Sequence, residues 1–181
     1  AGDGDAAALR AEAEALRAID PARTARLATH LARLGDLASA RALAVELPHG
    51  SASRALYDAV VAWKSGRIAE ARGRLDLLER DHPHPPFGIA PCFLRAELEA
   101  EAGDDAAALA ALDRFDALPF QRYWRSWAYP QALLLRGRVL ARTGRADEAR
   151  ASLERLRSLW ANADRGLPLL GETREILSRL P

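Results

Sequence analysis

Arginine and aromatic side chains are interleaved between residues 120 and 129, which form the densest cluster of aromatic residues in the chain. The segment reads Phe-Gln-Arg-Tyr-Trp-Arg-Ser-Trp-Ala-Tyr. Guanidinium groups stack on aromatic rings, so such a segment can grip a peptide or stack on nucleobases. Large rings also bury much area, so the alternative is a linker folded onto a hydrophobic core. The candidate residues of this aromatic linker are Arg122, Tyr123, Trp124 and Trp127.

Charge is segregated along the second half of the chain. From Glu97 to Asp116 there are seven acids and one base, whereas from Ala117 to Ala146 there are six arginines and no acid. One interpretation is that neighbouring elements carry complementary charges and pair with each other, at little gain per surface pair. The other is a bipolar groove that steers a charged partner. The sequence leaves both interpretations open.

Residues with catalytic or metal-binding chemistry are sparse. His82 and His84 flank a proline near Asp81 and Cys92, but a third and fourth metal ligand at suitable spacing are not evident, so a proline-rich loop facing solvent is the simpler interpretation. No nucleophile elbow, phosphate loop, dinucleotide fingerprint or zincin motif occurs. We therefore expect a protein that is not an enzyme and that uses no cofactor, no metal and no small-molecule substrate.

Composition narrows the class of protein further. Of the 181 residues, 49% are hydrophobic and 28% are charged, which is typical of a globular protein. No apolar run reaches the length of about 18 residues that spanning a bilayer requires, so no membrane insertion is expected. The net charge is +1, which makes nucleic acid an unlikely partner because binding to phosphates needs a basic excess. The absence of methionine indicates a piece of a longer protein.

Four glycines indicate how the chain is organised. Each is followed five residues later by an alanine, and successive glycines are 31, 37 and 41 residues apart. A unit that recurs at roughly 34 residues is typical of stacked helix–turn–helix repeats. Glycine ends a first helix in the left-handed conformation, and a small alanine lets the second helix cross closely. The four turns are Gly35 with Ala40, Gly66 with Ala71, Gly103 with Ala108, and Gly144 with Ala149.

The predicted fold is all-α, with about ten helices stacked as antiparallel pairs in a right-handed α-solenoid. Apolar residues recur at helical spacing throughout, and strand signals are nearly absent. We expect one domain over residues 1–181. Its parts are the second helix of a truncated repeat at 1–20, repeats at 21–48, 52–83, 90–119 and 128–161, and a capping helix at 167–180.

The repeated pattern resembles the tetratricopeptide repeat (TPR), most closely over Arg136–Ala149 and Leu27–Ala40. The tail from Leu159 to Leu170 is similar to the end of the TPR regions appended to bacterial eukaryotic-type Ser/Thr kinases and winged-helix regulators. The resemblance implies a protein-interaction scaffold, the regulatory or sensor segment of a larger signalling protein. Such a segment lies in the bacterial cytoplasm, or in the periplasm if it follows a membrane segment. The chain departs from the pattern where leucine and alanine replace the usual first-helix aromatics.

The resemblance also implies where a protein or peptide would bind, because TPR arrays bind peptides on a concave face lined by the first helices. The two aromatic candidates on this face have plain core packing as an alternative. The family's carboxylate clamp is absent, since Ala25, Thr29, Leu56 and Val60 stand at its positions, so a chaperone-tail receptor is excluded. An alternative function is a nucleic-acid-binding module that uses Arg122, Arg125, Arg138 and Arg142. The concave-face candidates are Arg33, Trp63, Lys64, Phe93, Glu97, Glu101, Arg138 and Arg142.

Overall fold

The structure is a computed structural model, and it describes residues 3–16, 19–82, 90–118, 128–163 and 166–181. These residues form ten α-helices and no strand, which confirms the all-α prediction. None of the described helices is both long and apolar enough to cross a membrane. The helices are α1 (Asp3–Leu16), α2 (Pro21–Arg33), α3 (Leu37–Ala44), α4 (Ala52–Lys64), α5 (Ile68–Asp81), α6 (Pro91–Ala102), α7 (Asp105–Ala117), α8 (Ala128–Arg142), α9 (Ala146–Leu159) and α10 (Pro168–Arg179).

The same turn joins α2 to α3, α4 to α5, α6 to α7, and α8 to α9. Its glycine is left-handed each time, with φ of +90° at Gly35, +77° at Gly66, +83° at Gly103 and +77° at Gly144. The residue after the glycine donates its N–H to a carbonyl five residues earlier, as in the bond from Arg145 to Leu140 at 2.9 Å. This bond closes the end of the first helix. The predicted conformation of all four glycines is confirmed.

The second helix of each of these four pairs begins in one of two ways. Asp36 and Asp104 cap α3 and α7, each accepting a hydrogen bond from a backbone N–H three residues later at 3.1 and 3.0 Å. Arg67 and Arg145 stand at the same place before α5 and α9. Their guanidinium groups pair instead with glutamates in the first helical turn, Arg67 with Glu70 at 2.8 Å and Arg145 with Glu148 at 2.6 Å. Both arrangements place a carboxylate near the positive end of the helix dipole.

Small residues lie where the two helices of a pair pack. The alanines five residues after the turn glycines are completely buried in all four pairs. A second small residue, also buried, precedes each turn glycine by seven positions. In α8 it is Gly137, where a Cβ would lie only 2.5 Å from Cδ2 of Leu153 on α9. The four small residues before the turns are Ala28, Ala59, Ala96 and Gly137.

The chain divides into two compact units, residues 1–94 and 95–181, and the boundary falls within α6. In unit 1, α2 packs against α1, α3 and α4, and α4 packs against α3 and α5. In unit 2, α8 packs against α7, α9 and α10, and α10 also packs against α9. Within each unit these contacting helices are consecutive or separated by one helix. The core of unit 2 centres on Leu133, Leu134, Leu153 and Leu156, with side chains of α10 packed against it.

Candidate functional site

The concave-face candidates of unit 1 pair cations with aromatic rings. Trp63, near the end of α4, is 5% exposed, and Nζ of Lys64 lies 3.9 Å from the centroid of its ring. Phe93 on α6 is completely buried, and Cζ of Arg33 lies 5.7 Å from its ring centroid. The two rings therefore contribute packing, while the half-buried cations Arg33 and Lys64 are the groups that a partner can reach.

The candidates of unit 2 lie on α6 and α8 and are dominated by charge. Arg138 and Arg142 are exposed and one helical turn apart on α8. Arg138 donates through Nε and Nη2 to the carboxylate of Glu172 on α10. Arg142 binds Asp105, the first residue of α7, and also donates from Nη2 to the carbonyl oxygen of Ala100 at 2.9 Å. Both guanidinium groups thus connect helices within the unit. Glu97 is half-buried and Glu101 is exposed on α6.

The aromatic linker candidates lie outside the described residues. This holds for Arg122, Tyr123, Trp124 and Trp127, and also for His84 of the histidine pair. Their proposed roles stay predictions. Within the part of the chain that the structure describes, no three His, Cys, Asp or Glu side chains are grouped as metal ligands would be.

The segregated charges of unit 2 meet between helices. Arg136 of α8 donates to Asp113 at 2.7 Å and to Asp116 at 3.0 Å, and both aspartates belong to α7. Arg142 of α8 binds the acidic start of the same helix. At Arg136 and Arg142 the two stretches therefore pair with each other, as the interpretation of complementary neighbours requires.

A cleft of about 450 Å³ lies in unit 2 and is lined by α7, α8, α9 and the turn that joins the last two. Leucines of α7 and α8 line it together with charged side chains from all three helices and from the turn. Ser152 of α9 links this helix to α8, since its buried hydroxyl donates to the carbonyl oxygen of Leu133 at 2.9 Å. The lining residues are Leu109, Asp113, Asp116, Tyr129, Leu133, Arg136, Leu140, Arg145, Glu148, Ala151, Ser152 and Arg155.

The charged groups of the cleft differ in their interaction partners. Arg136 is held by its two aspartates, and Arg145 is paired with Glu148. The hydrogen bond from Arg145 holds the pKa of the Glu148 carboxyl below its ordinary value. Arg155 differs from both, because Cζ lies 5.5 Å from the ring centroid of Tyr129 and the guanidinium forms no ion pair with any described residue. The cleft has the features of a binding surface: a mainly polar lining with some apolar surface, fixed ion pairs, and a cation that forms no ion pair with a described residue.

Sequence reasoning did not single out this cleft. The predicted candidates lie on the first helices and in the aromatic linker, whereas seven of the twelve cleft residues belong to α7 and α9. Two features of the sequence include cleft residues: the acid-rich and arginine-rich stretches contain Asp113, Asp116 and Arg136, and the aromatic segment ends at Tyr129. Tyr129 and Arg155 are 26 positions apart, so only the packing of α8 on α9 brings them together.

Comparison with known proteins adds no relative: no family model, no curated protein and no solved structure matches the chain.

Proposed function

We propose that this chain is a right-handed α-solenoid of TPR-like repeats with a C-terminal capping helix, and that it binds proteins or peptides without catalysing a reaction. The recurrence of one turn carries the proposal. Four helix pairs share a left-handed glycine and a fully buried alanine five residues later. Units that bury their apolar faces on neighbouring units form extended surfaces, which such proteins use for binding.

The role that fits this architecture is a scaffold or regulatory segment of a larger bacterial signalling protein, as the resemblance implies. The reachable charges on the first helices supply recognition. Arg33 and Lys64 present cations in unit 1, and Glu101 presents an acid on α6. Exposed charges of both signs favour partners that carry complementary charges, because they steer encounter and set specificity.

Nucleic acid is the weaker alternative. Binding to phosphates requires arginines that can exchange solvent for a phosphate oxygen. Arg138 and Arg142 already bind Glu172 and Asp105, so releasing them for phosphate costs those ion pairs. The other two arginines of that hypothesis, Arg122 and Arg125, lie outside the described residues.

Selection from a library of short random peptides tests the proposed function. We expect recovered peptides to bind the whole chain with a dissociation constant near the micromolar range, and Arg33→Glu combined with Lys64→Glu to alter which peptides are recovered. Arg41→Glu, an exposed arginine on the second helix α3, is the matched control and should leave the selection unchanged.

Two outcomes count against the proposal. One is that no peptide is enriched over selection on an unrelated helical protein. The other is a mobility shift of single-stranded DNA that weakens steeply with salt, which would favour the nucleic-acid alternative.

A further inference from the structure

We infer that the cleft between α7, α8 and α9 is a separate binding site for a peptide segment that carries one basic and one acidic side chain around an apolar one. The inference rests on the proposed protein-binding function and names the chemistry of one partner. A volume of about 450 Å³ is within the range of pockets that hold small ligands or a few residues of peptide.

The wall formed by α7 is acidic. Among the described residues, Asp113 accepts one hydrogen bond, through Oδ1 from Arg136, and its side chain remains 70% exposed. Arg136 is itself only 20% exposed and is held from a second direction by Asp116. A carboxylate fixed by one bond and open to solvent has acceptor capacity left for an incoming ammonium or guanidinium group.

The wall formed by α9 is basic. The guanidinium of Arg155 lies over the ring of Tyr129 and pairs with no carboxylate among the described residues. Stacking on a ring restricts the guanidinium while leaving its N–H donors at the edge available for a carboxylate. Arg145 and Glu148 pair with each other at the turn, and their charges also act on Asp113 and Arg136, respectively.

The apolar lining comes largely from α8, which packs against both α7 and α9. Leu133 and Leu140 of α8 are buried but reach the cleft, and Leu109 of α7 joins them. A ligand in the cleft can therefore contact the carboxylate of Asp113, the leucine side chains and the guanidinium of Arg155. A wholly acidic segment is repelled by Asp113 and a wholly basic one by Arg155, since like charges brought together cost binding energy. The complementary ligand carries both charges.

Fluorescence polarisation with defined peptides tests this inference on the whole chain. The probes are labelled, end-capped peptides whose cores are glutamate-leucine-lysine, its reverse, glutamate-leucine-glutamate and lysine-leucine-lysine. At low salt we expect one mixed-charge order to bind about tenfold more tightly than either single-charge peptide. Arg155→Glu should move the preference to the doubly basic peptide, and Asp113→Lys should move it to the doubly acidic one.

Arg157→Glu is the matched control, because Arg157 is exposed on the same helix, pairs with Glu154 and does not line the cleft. It should leave the order of affinities unchanged. Circular dichroism melts of the three variants should lie within a few degrees of the parent's, because all three side chains are exposed and the ion pair to Arg136 that Asp113→Lys removes contributes at most about 1 kcal/mol.

Equal affinities for the mixed and single-charge peptides, or a preference that ignores both cleft variants, would overturn the inference. The proposed function is judged separately. If peptides selected from the random library respond to the Arg33 and Lys64 reversals and not to Arg155→Glu, protein binding stands and the cleft is not its site. If the library yields no peptide for any surface, the proposed function fails as well.

Discussion

The helix pair α4–α5 of unit 1 and the pair α8–α9 of unit 2 have the same turn but different packing. Both turn glycines, Gly66 and Gly144, have φ of +77°. Both second helices begin after an arginine that pairs with a glutamate three residues later. At the same distances beyond each turn glycine the second helix buries an alanine and two leucines. These residues are Ala71, Leu75 and Leu78 in α5, and Ala149, Leu153 and Leu156 in α9.

The difference lies seven residues before the turn glycine. In α4 this position is Ala59, and its methyl group is accommodated in the core. In α8 it is Gly137, where the side chain of Leu153 occupies the space that a methyl group would need. The turn therefore has the same geometry in both pairs, because it depends only on the local backbone conformation. The contact between the two helices is adjusted in each pair, because close packing depends on which side chains meet.

Leu153→Ala and Leu75→Ala are expected to have the largest effects. Each removes a completely or almost completely buried leucine and should lower the free energy of unfolding by about 2–5 kcal/mol. In the Leu153→Ala background, adding Gly137→Ala should cost less than it does in the parent, because the methyl group enters the vacated space. Urea denaturation of the single and double variants measures this coupling. Strictly additive losses would mean that Gly137 and Leu153 do not share a contact.

The two units should also differ in their response to pH, since all four histidines precede residue 95. Burial, with a smaller contribution from the nearby charge of Arg33, lowers the pKa of His30 from 6.5 to about 4. Between these values the unfolded chain binds more protons than the folded one, so stability rises with pH across this window. The loss from pH 6.5 down to 4 is at most about 3 kcal/mol.

His30→Gln should flatten this dependence, as measured by the denaturation midpoint across the same pH range. His49→Gln is the control, because His49 is exposed in the loop after α3. If parent and His30→Gln lose stability in parallel, partial burial does not hold the histidine in its neutral form.

The single substitution Gly137→Ala tests the packing difference between the pairs α4–α5 and α8–α9. The new Cβ would lie 2.5 Å from Cδ2 and 2.6 Å from Cγ of Leu153. We expect a net loss of about 1–3 kcal/mol, although alanine is the better helix former. Gly73→Ala on α5 is the matched control, because no described atom would touch its Cβ and its φ lies outside the left-handed region. That variant should gain about 0.5–1 kcal/mol in thermal or chemical melts. A gain in both variants would remove the proposed difference between the pairs.

The features that the sequence predicted are local ones. A left-handed glycine and a buried alanine five residues later depend on a single turn, so Gly35, Gly66, Gly103 and Gly144 could be interpreted from their neighbours in the chain. The small residues seven positions before these glycines are also local features of the sequence, at Ala28, Ala59, Ala96 and Gly137.

The features that could not be predicted depend on which helices meet. Helical periodicity cannot tell whether an aromatic ring packs in the core or lines a groove. Phe93 and Trp63 are both buried. The choice between complementary charges and a bipolar groove required knowing that α8 lies against α7, where Arg136 reaches Asp113. The cleft required a third helix, α9, to bring Arg155 over Tyr129.

The smallest expected effects test the shared turn. Gly66→Ala and Gly144→Ala should each cost about 1 kcal/mol, since a Cβ is strained at positive φ while no described atom lies within 4 Å of it. The two losses should agree within error, because the turns are alike. Unequal losses in thermal melts would show that the two turns are not interchangeable and would weaken the case for a repeat.

Hydrogen exchange followed by mass spectrometry, on the parent and on Gly137→Ala, tests most directly whether the chain is a row of helix pairs stabilised by their neighbours. In such a row, loosening α8 against α9 speeds exchange in those two helices and, to a lesser degree, in α7 and α10, while α2 to α5 keep the parent's rates. An equal rise in exchange across all ten described helices would contradict the account, because it would show one cooperative globule.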